Sequence, residues 1–254
     1  MKFTKLFLAA AAVFLGASAM NAETHVVAHR GYWKAPGSAQ NSIRALVKAD
    51  SIGCYGSEFD VWSTPDSVLV VNHDGVINGL NIQTTPAKVI LQQKLQNGEY
   101  IPTLEEYFRA AIPLKTRLVV ELKPFDNNAL ESWAVKEIVR LARVYGLTDR
   151  IDYITFSKNG FKNLIKAAPK GTSVQYLTGD WIPEQIKFMK GTGVDYHYNV
   201  FKANPDWVER CHDKGLTVNV WTVDSPEEMQ RCIDYQADFI TTNEPETLQK
   251  MLKK

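Results

Sequence analysis

The chain has 254 residues, of which 45% are hydrophobic and 22% charged, with 29 basic residues against 28 acidic ones. This near-neutral balance argues against a nucleic-acid partner, while the length and apolar content are typical of a folded chain with one large core. Three cysteines lack the spacing of a metal site and allow at most one disulfide: Cys54, Cys211 and Cys232.

The first 22 residues have the pattern of a secretory signal peptide. Lys2 and Lys5 precede an apolar run over 6–15, which is shorter than the roughly 20 residues that a membrane span needs. Small residues follow the run at Ala17, Ala19 and Ala22. We therefore expect a signal peptide over 1–22, with cleavage after Ala19 or Ala22. The mature domain, 23–254, is expected to be exported, periplasmic or secreted, without stable membrane insertion.

Eight short apolar runs alternate with segments of helical spacing along the rest of the chain. The predicted strands are 25–29, 56–62, 116–122, 151–156, 172–177, 194–198, 217–222 and 238–241. Thr103 and Glu106 form a capping-box pattern, and Ser225 precedes Pro226 at a first helical position. Eight strand–helix units predict an α/β fold, a closed (β/α)₈ barrel. An open doubly wound sheet would favour a glycine-rich phosphate loop, and neither GxGxxG nor GxxxxGK[ST] occurs.

One connection is too long for the repeat. Residues 66–96, between the second strand and its helix, form a loop of the length that is usually functional. The loop begins with the apolar run 68–71, which predicts a short extra strand in a hairpin. His73 and Asp74 follow directly. The sequence therefore predicts a barrel with a short insertion after the second strand, and the insertion carries a histidine.

Acidic residues lie at the ends of the second and third strands, where barrels of this kind place their working residues. Glu58 and Asp60 share one face of the second strand. Two carboxylates about 7 Å apart repel each other unless a cation lies between them, and a hard divalent ion suits oxygen ligands. Glu121, at the end of the third strand, can complete the set. The pattern predicts a three-carboxylate metal site.

Histidines and basic residues occur at the same strand ends. His29 ends the first strand and His73 lies in the insertion, so one can remove a proton while the other protonates a leaving oxygen. Lys123 shares a face with Glu121, and the Arg30 guanidinium suits bidentate contact with phosphate. Taken alone, each pair could be an ordinary surface feature. Their coincidence at one end of successive strands predicts metal-assisted phosphoryl chemistry.

These residues resemble the glycerophosphodiester phosphodiesterase family, whose pattern runs His-Arg-Gly, Glu-x-Asp, His-Asp and Glu-x-Lys. The motifs here are His29-Arg30-Gly31, Glu58-x-Asp60, His73-Asp74 and Glu121-x-Lys123. The similarity continues through Val220-Trp221-Thr222-Val223 and Ile240-Thr241-Thr242-Asn243-Glu244-Pro245, so it covers essentially the whole mature chain. The resemblance implies a (β/α)₈ barrel with a short insertion. It also implies metal-dependent hydrolysis of small glycerophosphodiesters to glycerol phosphate and an alcohol.

The resemblance also implies a role for each matched residue. It makes Glu58, Asp60 and Glu121 ligands of a divalent ion, Mg²⁺ or Ca²⁺. It makes His29 and His73 the acid–base pair. The expected substrate-binding residues are Arg30, Lys123, Asn41 and Trp221, with Trp221 over the glycerol. One departure stands out, because the family's Glu-Asn-Thr reads Gln40-Asn41-Ser42 here, and Gln40 cannot serve as an anionic ligand or a base.

Several alternatives remain open from sequence. The enzyme could be a related barrel phospholipase of the lysophospholipase D type, or a barrel that binds a phosphorylated ligand without turning it over. Either water or the glycerol 2-hydroxyl could attack, and the oligomeric state is not predicted. A set of further aromatic and histidine residues, here called the expected rim, could line a larger mouth or simply pack: Tyr32, Trp33, Trp62, Trp181, Tyr196, His197, Tyr198 and Phe201.

Overall fold

The computed structural model describes residues 23–253, so the predicted signal peptide lies outside the described residues. The strands are β1 His25–Ala28, β2 Gly56–Ser63, β3 Leu69–Val71, β4 Val76–Ile77, β5 Leu80–Asn81, β6 Arg117–Leu122, β7 Ile151–Thr155, β8 Ser173–Tyr176, β9 Gly193–His197, β10 Thr217–Trp221 and β11 Phe239–Thr242. The helices are α1 Ile43–Ser51, α2 Ala87–Ile90, α3 Leu104–Ala111, α4 Asn128–Val144, α5 Lys158–Ala167, α6 Pro183–Phe188, α7 Tyr198–Ala203, α8 Trp207–Asp213, α9 Pro226–Asp234 and α10 Pro245–Leu252, with a 3₁₀ turn at Thr148–Arg150.

Eight of these strands form a closed parallel barrel in the order β1-β2-β6-β7-β8-β9-β10-β11, because β1 pairs with both β2 and β11. Each corresponds to one predicted strand, with ends that differ by no more than one residue. The predicted (β/α)₈ barrel is confirmed. Parallel strands point their carboxyl ends to one edge, so β1, β2 and β6 deliver their last residues to a common rim.

The insertion after β2 has a small core of its own. β3 pairs antiparallel with β2, which confirms the predicted hairpin, while the short β4–β5 pair and α2 were not predicted. The core of the insertion consists of Trp62, Val70, Ile82, Ile90 and Ile101. This separate packing holds the segment that carries His73 against the barrel rim.

The predicted helix starts are also observed. Thr103 Oγ1 accepts a hydrogen bond from Glu106 N at 3.2 Å, and Glu106 Oε2 accepts one from Thr103 N at 2.8 Å, which completes the capping box of α3. Ser225 Oγ accepts from the backbone N–H of Glu228 at 3.2 Å, ahead of Pro226 in the first turn of α9. Both caps satisfy backbone donors that have no partner inside the helix.

The three cysteines are buried and unpaired, and burial raises the pKa of each thiol to about 12. The disulfide that the sequence allowed is therefore not formed. Within 23–253, no helix combines the length and apolar character needed to cross a membrane.

One face of strand β2 carries acidic residues of the site, and the other packs against α3. Glu58 and Asp60 lie on one face, while Phe59 packs on the other against Tyr107 of α3, with ring centroids 4.3 Å apart, and against Phe108 at 6.4 Å. All three rings are fully buried. The aromatic contact between β2 and α3 therefore fixes the strand that carries two of the acidic residues.

Replacing Phe59 by alanine is expected to lower the free energy of unfolding by about 3–5 kcal/mol, since the change leaves a cavity between β2 and α3. Urea denaturation followed by circular dichroism measures the effect. Phe59→Leu, which removes less volume, is expected to cost clearly less. An unfolding midpoint for Phe59→Ala equal to that of the wild type would contradict this packing assignment.

Candidate active site

A cavity of about 190 Å³ opens where the barrel strands end. Its polar walls are His29, Arg30, Glu58, His73, Glu121, Lys123, Asp195, Thr222 and Thr241, and its apolar walls are Ile154, Phe156, Leu177 and Trp221. A larger hollow of about 430 Å³ lies near the start of β1 and carries none of the predicted site residues. The predicted acidic, basic and histidine residues therefore come together at the rim that the barrel topology favours.

The His-Arg-Gly stretch forms a tight turn between β1 and α1. Arg30 and Gly31 both have positive φ, 55° and 72°. A Cβ on Gly31 would lie only 2.8 Å from atoms of Ala45 in α1, so glycine is required by both conformation and space. The turn places the Arg30 N–H 2.7 Å from Glu58 Oε2, and the Gly31 N–H donates to the Glu58 carbonyl at 3.0 Å. The motif thus holds Glu58 in position.

Three buried carboxylates lie close together, because Glu58, Asp60 and Glu121 each offer an oxygen within 4.8 Å of the other two. Burial, together with Asp60 and Glu121, raises the pKa of Glu58 well above its usual range. Burial and Asp60 raise the pKa of Glu121 to about 7. Burial opposes ionisation of Asp60 too, but Lys123 and His73 hold its pKa below the usual value. The three carboxylates therefore outnumber the positive charges that lie against them.

Lys123 supplies the only ammonium in contact with these acids among the described residues. Its Nζ lies 3.0 Å from Asp60 Oδ1 and 2.7 Å from Glu121 Oε1, and these contacts raise its pKa against the opposing effect of burial. Glu58 Oε1 is buried without a hydrogen-bond partner in the described chain. Lys123 thus contacts two of the three carboxylates, and one oxygen of the third has no hydrogen-bond partner in the described chain. Such a set of oxygens fits a hard divalent cation such as Mg²⁺ or Ca²⁺.

Asn41 holds Asp60 from two sides. Its Nδ2 donates to Asp60 Oδ2 at 2.8 Å, and its Oδ1 accepts from Asp60 N at 3.1 Å. The residue is buried and has a φ of 62°. These contacts make Asn41 a positioning residue for Asp60, while the predicted contact with substrate stays a prediction. The neighbouring Gln40 accepts a hydrogen bond from Arg30 Nη1 at 2.6 Å, so its amide meets the site through Arg30.

The ring of His29 is held in one tautomer by Asn243, a residue that the sequence did not single out for this role. His29 Nδ1 lies 2.9 Å from Asn243 Oδ1, which also accepts from Trp33 Nε1 at 2.7 Å. Asn243 Nδ2 donates to Asp224 Oδ2 at 2.7 Å, so the oxygen of the amide must face His29. His29 Nδ1 therefore carries the proton, and Nε2 keeps a lone pair.

Burial and the nearby Arg30 lower the pKa of His29 to about 4. The imidazole is therefore neutral at pH 7, with Nε2 ready to accept a proton. Burial also lowers the pKa of His73, although Asp60 acts in the opposite direction. His73 Nδ1 lies 2.7 Å from Asp74 Oδ1, a carboxylate that stabilises the protonated ring. The two histidines thus have different environments, since the Nδ1 of His29 meets an amide oxygen and that of His73 meets a carboxylate.

We expect ¹⁵N NMR of histidine-labelled protein to show His29 as the neutral Nδ1–H tautomer from pH 8 down to about pH 5. Since the pKa is lowered, protonation of the ring should appear only near pH 4. The His29→Gln variant identifies the signals by their loss. A titration of these signals centred near pH 6.5, or an Nε2–H tautomer, would contradict the role of Asn243.

Trp221 lines the cavity, where its predicted contact with substrate stays a prediction, and its ring is fixed by three contacts. Its Nε1 donates to the carbonyl of Asp195 at 2.8 Å, and its ring meets Phe156 and His197 edge-on at 5.5 and 5.3 Å. The side chain therefore forms a rigid apolar wall. Phe156, which the sequence analysis did not select, extends that wall.

None of the expected rim residues belongs to the described walls of this cavity. Tyr196 and Phe201 are buried in the core, and Trp62 belongs to the core of the insertion, so the packing alternative applies to them. His197 caps α7, where its Nδ1 accepts from Asn199 N at 3.2 Å. Trp33 has an indirect role through Asn243. The sequence alone does not show which of these residues line a cavity and which pack in the core.

Comparison with known proteins gives consistent matches over the barrel. Residues 29–247 match the model of the glycerophosphoryl diester phosphodiesterase family. A glycerophosphodiester phosphodiesterase of Caldanaerobacter subterraneus subsp. tengcongensis is 29% identical over an alignment of 246 positions, which covers 91% of this chain and 99% of that protein. The crystal structure of a glycerophosphodiester phosphodiesterase from Parabacteroides distasonis is similar, with a TM-score of 0.89 and 47% identity over 91% of this chain and 97% of that chain.

A second similar structure contains a bound product. It is an Oleispira antarctica phosphodiesterase in complex with sn-glycerol-3-phosphate, with a TM-score of 0.78 and 22% identity. The match covers 91% of this chain and 97% of that one. At this identity the likeness shows the barrel fold alone.

Proposed function

The chain belongs to the glycerophosphoryl diester phosphodiesterase family and is a phosphodiester hydrolase, and we propose that it cleaves small glycerophosphodiesters with the help of a divalent metal ion. The products would be glycerol phosphate and an alcohol. One observation carries the proposal: two histidines, two basic residues and a cluster of three carboxylates, two of them in the cavity wall, lie together at one cavity. The similar proteins from Caldanaerobacter and Parabacteroides, both named glycerophosphodiester phosphodiesterases, support the same substrate class.

Glu58, Asp60 and Glu121 would hold the ion. When bound, Mg²⁺ or Ca²⁺ supplies Lewis-acid stabilisation of negative charge on phosphate oxygens. Arg30 and Lys123 line the same cavity and bring two fixed positive charges to the place where a phosphate would lie. Asn41 keeps Asp60 in position through both ends of its amide. These residues bind and orient the diester before any proton moves.

His29 serves as the general base, because its Nε2 has a lone pair and its Nδ1 proton is held by Asn243. It accepts the proton of the attacking oxygen, whether that oxygen belongs to water or to the glycerol 2-hydroxyl. His73 serves as the general acid and gives a proton to the leaving alcohol oxygen. Asp74 favours the protonated ring, and the negative charge of a phosphate in the cavity would favour it further.

The size of the cavity supports small diesters over lysophospholipids. A volume of about 190 Å³, with Trp221 and Phe156 among its walls, matches a glycerol phosphate unit and is too small to enclose an acyl chain as well. Among the remaining walls, Ile154 and Leu177 offer only a short apolar surface. We therefore place lysophospholipase D activity second.

Substrate assays test this proposal. Purified protein is incubated with glycerophosphocholine, glycerophosphoethanolamine, glycerophosphoinositol or lysophospholipid, with Mg²⁺, with Ca²⁺ or with a chelator, and products are identified by ³¹P NMR. We expect metal-dependent release of glycerol phosphate from at least one glycerophosphodiester. Cleavage of lysophospholipid alone would favour the phospholipase. Binding without turnover of any substrate would contradict the enzyme and favour a binding protein.

We also propose that the enzyme is exported, supported by the lysine-flanked apolar run within residues 1–22. N-terminal sequencing of protein from the native cell envelope or medium tests this. We expect the mature chain to begin at Met20 or Glu23. A protein that retains Met1 would contradict the proposal.

A further inference from the structure

A second groove lies beside the catalytic cavity and shares His73 with it. The groove has a volume of about 250 Å³ and lies between the turn before α1 and the insertion. Five side-chain amides and one lysine contribute to its walls: Gln40, Asn41, Asn72, Asn78, Gln96 and Lys94. We call it the amide groove. The amides distinguish it from the catalytic cavity, whose described walls include no Asn or Gln.

We propose that the amide groove binds the alcohol that leaves, and that it selects an uncharged, hydroxyl-rich alcohol over a quaternary ammonium alcohol. The inference rests on the proposed function and deepens it by naming the class of leaving group. A polyol, such as inositol or a second glycerol, has the chemistry that the groove matches.

The position of the two histidines gives the groove its place in the reaction. His73, the proposed acid, lines both the cavity and the groove, whereas His29, the proposed base, lines the cavity alone. The alcohol that receives a proton from His73 therefore separates from phosphorus on the side of the groove. The glycerol that stays on the phosphate then lies in the cavity, next to Trp221.

The amides of the groove offer both donors and acceptors. Asn72 Nδ2 donates to the Asp74 carbonyl at 2.7 Å, and Asn78 Nδ2 donates to Gln93 Oε1 at 3.0 Å. These bonds orient both amides, and their Oδ1 atoms have no hydrogen-bond partner in the described chain. Gln40 uses its oxygen on Arg30, which leaves its NH₂ group to donate. Hydroxyl groups donate and accept, so a polyol can bond to both kinds of atom.

The groove lacks the feature that recognises a quaternary ammonium head group. Its walls include one cation, Lys94, whose Nζ lies 5.3 Å from the centre of the Tyr100 ring, and one carboxylate, Asp74, which bonds to His73 Nδ1. No Phe, Tyr or Trp side chain is among the groove's described walls, so the aromatic cage that recognises trimethylammonium groups is missing there. Choline would therefore meet no aromatic cage, and the charge of Lys94 offsets the attraction of Asp74.

The test compares kcat/KM for glycerophosphoinositol and glycerophosphocholine in three proteins. We expect the wild type to prefer the inositol substrate, and Lys94→Glu to shift the ratio at least about tenfold toward choline, since the charge facing the head group is reversed. Lys88→Glu, the same charge change at an exposed position of α2 outside the groove, is the matched control and should leave the ratio near that of the wild type.

Three results would separate the possible failures. Equal kcat/KM for the two substrates in the wild type would overturn the inference while leaving the proposed function intact. Equal shifts of the kcat/KM ratio in Lys94→Glu and Lys88→Glu would also overturn the inference, because the effect would then come from general surface charge. If the wild type hydrolyses neither of these substrates nor glycerophosphoethanolamine under any metal condition, the proposed function itself fails.

An independent observation concerns Asp195, on β9. The residue is 1% exposed, lines the catalytic cavity and has a buried Oδ1 without a hydrogen-bond partner in the described chain. Its backbone pairs with β10 and accepts a hydrogen bond from Trp221 Nε1, and neither contact involves the carboxyl group. A buried carboxyl that the protein leaves unpaired is costly, and such groups in a cavity wall are usually matched by a ligand.

We infer that the Asp195 carboxyl binds a hydroxyl group of the glycerol that stays on the phosphate. The residue lies on the same wall as Trp221, which provides the apolar side of that subsite. Burial and the nearby Glu121 raise the pKa of Asp195 well above its usual range, and a protonated carboxyl can donate as well as accept. The contact would thereby distinguish glycerol from phosphate substituents that carry no free hydroxyl group.

Two substrates test the role of Asp195. Glycerophosphocholine carries the glycerol hydroxyls, whereas bis(p-nitrophenyl) phosphate does not. Asp195→Ala is expected to lower the ratio of kcat/KM for the first substrate to that for the second by roughly tenfold to a hundredfold, mainly through KM. Asp195→Asn keeps the shape and should retain part of the preference. A ratio unchanged in both variants would assign Asp195 a structural role and overturn the inference.

Discussion

His29→Ala is expected to lower kcat by about 10²–10⁴-fold, because the variant loses the group that accepts the proton of the attacking oxygen. The metal ligands and the fold should be unaffected, since the His29 ring bonds to Asn243 and to none of the three acids. Steady-state kinetics with a glycerophosphodiester measure the loss. His25→Ala, at the opposite end of β1, is the matched control and should keep turnover near that of the wild type.

A comparison of leaving groups separates the two histidines. p-Nitrophenolate leaves without protonation, so His73→Ala should be impaired strongly with an alkyl alcohol as leaving group and only weakly with p-nitrophenol. His29→Ala should be impaired with both. Retention of most activity by either variant on a glycerophosphodiester would refute the acid–base pair, and the reverse pattern would exchange the roles.

Changing a single acid of the cluster should weaken metal binding by about tenfold to a hundredfold and lower turnover in parallel. Asp60→Asn and Glu121→Gln keep the shape of each side chain but lose the charge that a hard cation requires. Glu58→Gln should likewise act chiefly on metal affinity. Titration calorimetry with Mg²⁺ and Ca²⁺ measures binding directly.

The matched control for these variants is Glu131→Gln. Glu131 is also buried, but it lies in α4, where it bonds to Asn159 and does not line the cavity. The Glu131→Gln variant should keep the metal affinity of the wild type even if its free energy of unfolding falls. If the three variants of the cluster bind metal as well as the Glu131→Gln control does, the three acids are not the ligands.

Much of the site could be predicted because it depends on local regularities. Alternation along a strand places Glu58 and Asp60 together, and parallel strands place Glu121 beside them, as the pairing of Asp60 with Glu121 between β2 and β6 shows. The barrel itself follows from eight strand–helix units. No long-range information beyond the order of elements was needed for these steps.

The contacts that orient the site were not predictable in the same way. Asn243 meets His29 only because β11 pairs with β1 and closes the barrel, so residues from the two ends of the chain become neighbours. Asn41 reaches Asp60 through a turn with positive φ, which the sequence Gln-Asn-Ser does not reveal. Asp195 looks like an ordinary strand residue until the cavity beside it is known.

Turnover during metal titration tests the proposed chemistry most directly. The protein is stripped with a chelator, bound metal is measured by elemental analysis, and glycerol phosphate release is followed as Mg²⁺ or Ca²⁺ is added back. We expect no release from the stripped protein, and a rate that rises in proportion to bound ion. Full turnover by protein that contains no bound metal would contradict a metal-dependent reaction at Glu58, Asp60 and Glu121.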